Sequence, residues 1–194
     1  MDTVRFWGTV LAVKPRLALA KFGADTNPRC DGYIALMEGT RTIGSNRPVP
    51  GRFIVALGAA TQLRREIGVG DLLRGEAHPV PTDAHDVPAD LYRVGVLRTI
   101  ARAGDPGTAP LPDPDPPRTD PPLSTDAVLK APRRPLHPDN LTEDAACERC
   151  AYGIVVAVVR LTDPRDYRWG SWQHIPACLG PEDCPHYVPR PANP

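Results

Sequence analysis

The chain has 194 residues, with 23 Lys and Arg against 23 Asp and Glu, a neutral balance that excludes the strongly basic proteins whose charge alone announces nucleic-acid binding. Its length holds one ordinary domain and a small satellite, and no apolar run reaches the roughly 18 residues of a membrane span. The opening MDTVRFWGTV lacks the basic start and apolar stretch of a secretory signal, so a cytoplasmic, reducing compartment is expected.

In chain order, strand-like runs occupy residues 4–13, 32–38, 52–58, 72–80 and 91–102. Val, Ile, Phe, Tyr and Trp are enriched in several of them, and Gly, Pro, Asn and Asp fill the gaps. One segment breaks the pattern. AATQLRREI (59–67) has good helix formers and can place Ala59, Leu63 and Ile67 on one face before Gly68 and Gly70 turn the chain. Three strands, a helix and two strands is the order of an OB-fold, a five-stranded Greek-key barrel. Gly8, Gly75 and Gly95 suit the bends that close short strands into such a barrel. The expected fold is therefore mainly β: an OB-like barrel over 1–103 with one short helix.

Eleven of the 25 prolines lie between Gly104 and Asn140. Pro blocks helix and sheet hydrogen bonding alike, so 104–140 reads as an extended, semi-rigid linker. Charge divides around it. Residues 1–103 carry 14 basic against 10 acidic side chains, a balance of +4; residues 104–194 carry 9 against 13, a balance of −4. A nucleic acid would therefore meet the N-terminal half.

The remainder, 141–194, holds Cys147 and Cys150 in CERC, then Cys178 and Cys184 in CLGPEDC. Two short cysteine knuckles around a strand are the pattern of a zinc ribbon, in which four thiolates close a tetrahedron around a structural Zn2+. The second gap, five residues with Gly180 and Pro181, is wider than usual. Disulfides, a redox Cys-x-x-Cys and an iron–sulfur cluster are the alternatives. His186 could replace a thiolate or bond to a ligating sulfur. Cys30, in an early loop, reads as a free thiol.

GTVLAVKPRLAL, DGYIALMEG, FIVALGAATQLRREIGVGDLLRGEAHPV and LYRVGVLRTIAR, with CERCAYGIVVAV and CLGPEDCPHY, resemble a family of uncharacterised prokaryotic proteins that join an OB-like barrel to a cysteine-rich zinc module. The resemblance implies that architecture and no particular activity.

An OB barrel binds single strands when exposed aromatics stack bases and Arg or Lys follow the backbone. The candidates are Arg5, Trp7, Lys14, Arg16, Lys21, Phe22, Tyr33 and Arg52. Arg5 and Trp7 share a face of a regular strand, with Phe6 turned to the core. Single-stranded nucleic acid, RNA before DNA, is the expected partner of a non-enzymatic binding protein. A protein-interaction adaptor is the alternative, anchored by Tyr167, Trp169 and Trp172. No phosphate-cradling Gly-rich loop, His-Glu-x-x-His pair or nucleophile elbow supports an enzyme.

Overall fold

The computed structural model describes residues 3–44, 46–106, 124–163, 165 and 170–191. The first strand is the spine of the molecule. In β1 (Val4–Phe22) the residues Val4, Phe6 and Val10 face inward while Arg5 and Trp7 face out, the period of two expected for a half-buried strand. A bulge between Val10 and Ala12 shifts the inward set to Val13, and an irregularity between Pro15 and Leu17 turns the strand out of the barrel. Leu17 and Leu19 then enter a second core.

The strand β2 (Asp25–Ile43) returns antiparallel along the whole of β1, and β3 (Val49–Leu57), α1 (Ala59–Arg65), β4 (Leu72–Pro79) and β5 (Leu91–Ala101) follow. The order β2-β3-β5-β4-β1, closed by β1 against β2, makes a five-stranded OB-like barrel. Its core is Phe6, Val10, Val13, Tyr33, Met37, Phe53, Val55, Leu57, Ile67 and Leu73, among others. The crossing of β1 and β2 needs glycine on both sides, since a Cβ on Gly8 would strike the Glu38 carbonyl and one on Gly39 the Trp7 carbonyl.

The helix does not bury the face read from its sequence. Leu63 is 81% exposed. The helix ends at Arg65, Glu66 takes a left-handed conformation, and the reversal rather than the helical period drops Ile67 into the core. Gln62 is the buried helical residue, and its amide donates to the Ile67 carbonyl at 2.8 Å.

Within the segment read as a linker, residues 107–123 lie outside the described residues, whereas 124–140 carry secondary structure. They form α2 (Thr125–Lys130), β6 (Arg134–Pro135) and most of a 3-10 turn (Pro138–Leu141). Ser124 caps α2 by accepting from the Ala127 amide, and Val128 is fully buried against Leu17 and Leu19. Next come α3 (Ala146–Arg149), β7 (Gly153–Arg160) and β8 (Ser171–Cys178). β7 pairs parallel with Ala18–Lys21 of β1, so the C-terminal hairpin continues the sheet that forms the barrel. Among the described residues no helix is long and apolar enough to cross a membrane.

Candidate metal centre and nucleic-acid face

The cysteine pairs sit side by side at the open end of the β7–β8 hairpin, where Gly153 is registered opposite Cys178. All four cysteines line one pocket of about 190 Å³, with His186 and Tyr187 at its side. Cys147, Cys150 and Cys178 are buried, and all five cysteines of the chain are free thiols. Among the described residues, no three His, Cys, Asp or Glu side chains form a group that could hold a metal ion as it stands. What surrounds the sulfurs nevertheless suits thiolates. The Tyr152 and Gly153 amides donate to Cys150, and the Gly180 amide donates to Cys178 Sγ at 3.3 Å; such bonds favour the ionised sulfur.

Two cations complete the surroundings. Lys14 Nζ donates to the Cys147 carbonyl at 3.0 Å and the Gly153 carbonyl at 2.7 Å, clasping both sides of the first knuckle. Burial lowers its pKa to about 8, against the opposing pull of Cys150, Glu148 and Cys147. Arg134 lies on the second knuckle, donating to the carbonyls of Gly180 and Pro181 and standing 3.7 Å from Cys178 Sγ. Burial and the neighbouring cysteines push the Cys147 thiol up to about 11. Burial raises the Cys150 thiol as well, and a soft divalent ion such as Zn2+ is the kind of cation that holds buried sulfurs of this sort as thiolates. The four cysteines thus line one pocket with these donors and cations around them.

The residues named for nucleic-acid contact are not one surface. Arg5 and Trp7 stand outward near the start of β1 with Trp7 48% exposed, and Phe6 is in the core as its alternation requires. Lys14 is only 6% exposed, its charge held inside the first knuckle. Tyr33 is buried in the barrel core, where its ring stacks on no external base. Arg52 is enclosed by carboxylates: Glu148 at 3.0 Å, Asp144 at 2.8 Å, and Glu143 and Glu38 nearby. It ties β3 to α3 and to the chain before it. Lys21 and Phe22 lie at the far hairpin tip, beside Arg160 of β7. Arg16 opens onto a separate pocket. Cys30 lies on β2 rather than in a loop, and is half-buried against the second core. Tyr167 and Trp169 fall outside the described residues; Trp172 is half-buried on β8.

The outer face of β2 and β3, where OB barrels usually take ligands, is covered. Val87, Val80 and Ala89 of the β4–β5 loop pack on Ile34, Ile54 and Ala56. The uncovered face lies across β1, β4 and β5. Register places Trp7 opposite Thr40 on one side and Arg74 on the other, and Arg74 opposite Arg98. Directly paired residues point the same way, so one row carries Thr40, Trp7, Arg74 and Arg98. Arg5 adjoins it, with Glu76 opposite. Arg74 and Arg98 are both exposed and face each other as like charges, an arrangement that costs stability unless an anion lies between them. Neither was visible as a site residue in the sequence. The alternation of LLRGEAHPV put Arg74 outward, but only the register brings it beside Trp7.

Comparison with protein-family models, with curated proteins and with solved structures gives no match. The functional reading accordingly rests on the chain's own residues.

Proposed function

We propose that the protein binds single-stranded nucleic acid, RNA in the first instance, on the β1–β4–β5 face of its barrel, and that Cys147, Cys150, Cys178 and Cys184 hold a structural zinc that fixes the C-terminal hairpin. The observation carrying the first claim is the row of an exposed Trp7 beside the opposed guanidiniums of Arg74 and Arg98. A base stacks on the indole while successive phosphates relieve the repulsion between the arginines. The zinc takes no part in that contact; it closes a segment too small to hold its own loops by burial.

The test is a titration of labelled RNA and DNA oligonucleotides across a range of salt. Each phosphate contact contributes about 0.7 to the slope of log affinity against log salt for a single strand. The variant R74S/R98S should lose about 1.4 of that slope and keep its melting temperature. An unchanged slope removes the row from the interface. No binding by the wild-type chain at low salt rejects the function.

A further inference from the structure

A second basic site lies at the opposite end of the barrel. There Arg16, Gly58, Thr61, Tyr92 and Arg93 line a pocket of about 300 Å³. Arg16 stands at the irregularity where β1 leaves the barrel, between the paired residues Pro15 and Leu17. One of its terminal nitrogens donates to the Asp31 carbonyl at 2.6 Å, while its Nε is buried with no hydrogen-bond partner among the described residues. That Nε is closed to solvent, so an anion in the pocket would meet the terminal nitrogens of Arg16.

Arg93 faces the same space from the start of β5. Its φ is +50°, a left-handed conformation that glycine adopts freely and an arginine does not. Its guanidinium is held over the Tyr92 ring at 5.0 Å. Neither guanidinium is ion-paired with a carboxylate among the described residues. The bulge between the pairs Glu76–Val96 and His78–Tyr92 accounts for the left-handed conformation of Arg93 and turns it to this side of the strand. Two arginine forks and the Thr61 hydroxyl around one small pocket match the charge and the oxygens of a phosphate monoester. The volume is at the small end for ligand sites, enough for a phosphorylated sugar or mononucleotide.

We propose that this pocket binds a phosphate monoester, with Arg16 and Arg93 on its dianionic head and Thr61 donating to a third oxygen. Arg93 precedes Arg98 by five residues on β5, roughly 17 Å of strand, so the site is separate from the Trp7 row and does not depend on it. The same chemistry could come from a free nucleotide or sugar phosphate, or from the terminal phosphate of an oligonucleotide.

The experiment is calorimetric titration of the full chain with a nucleoside, its 5′-monophosphate, and a dinucleotide with and without a 5′-phosphate. Wild-type protein should bind the monophosphate more tightly than the nucleoside. A gain from the 5′-phosphate on the dinucleotide assigns the pocket to strand ends, and no such gain beside monophosphate binding assigns it to a free metabolite; both support the site. Because glycine relieves the strain at φ +50°, R93G should melt no lower than wild type yet bind monophosphate at least about tenfold more weakly. R16M should weaken it similarly. Equal binding of nucleoside and monophosphate, or undiminished binding by R93G, overturns the proposal.

Discussion

At the scale of single residues, the first knuckle depends on a glycine. Gly153 follows Cys150 closely enough that a Cβ there would stand 2.5 Å from the Cys147 carbonyl oxygen, the atom Lys14 also holds. Gly153→Ala should therefore open the loop, at a cost of about 1–3 kcal/mol from overpacking, and reduce bound zinc. Elemental analysis of protein purified without added metal is expected to give one zinc per wild-type chain and less in the variant. Iron in place of zinc, or a full complement in G153A, contradicts the knuckle geometry argued above. The cysteine spacing singled out four residues that the structure does place around one pocket. Lys14 was not legible beside them, because a lysine at the outward phase of a strand reads as solvent-facing, and only the arrival of β7 and α3 over that stretch encloses it. Arg52 was misread for the same reason, as its carboxylate partners lie some ninety residues further along the chain.

Among the elements, the strands were legible because each declared its own period, and the long-range pairing was not. β1 and β2 run 19 residues each, β1 well past its predicted end at 13 and β2 from well before its predicted start at 32, since these halves are made strands by the C-terminal hairpin and by their own turn at Gly23. The helix shows the opposite failure. A seven-residue helix is too short for its period to decide which side is buried, and the left-handed Glu66 decides it instead. Leu63→Lys should leave stability within about 0.5 kcal/mol of wild type, whereas Ile67→Ala should cost about 2–5 kcal/mol. Chemical denaturation of the two variants checks this directly; a large loss from L63K would restore the helical face read from sequence.

Across the whole molecule, the barrel and the cysteine hairpin share a strand, a buried lysine and a second core built on Leu17 and Leu19. A chain ending at residue 106 would expose those leucines, each worth about 1.5–3 kcal/mol when buried, and would leave Lys14 without its two carbonyls. It should therefore melt well below the full chain and less cooperatively. An equal melting midpoint for the two would mean that the barrel is self-sufficient. The overall arrangement also bears on function, because the β4–β5 loop and the carboxylates around Arg52 close off β2 and β3 and leave β1, β4 and β5 as the open side.

The central claim is that Trp7 is a stacking platform on that open side, and it is tested most directly by comparing wild type, W7F and W7A in oligonucleotide binding while monitoring their melting. Stacking of a base on an aromatic side chain is worth about 1–3 kcal/mol, so W7A should bind at least several-fold more weakly, W7F should recover much of the loss, and all three should melt alike because the ring is half exposed. Equal affinity for the three proteins, or a W7A chain that no longer folds, would contradict it.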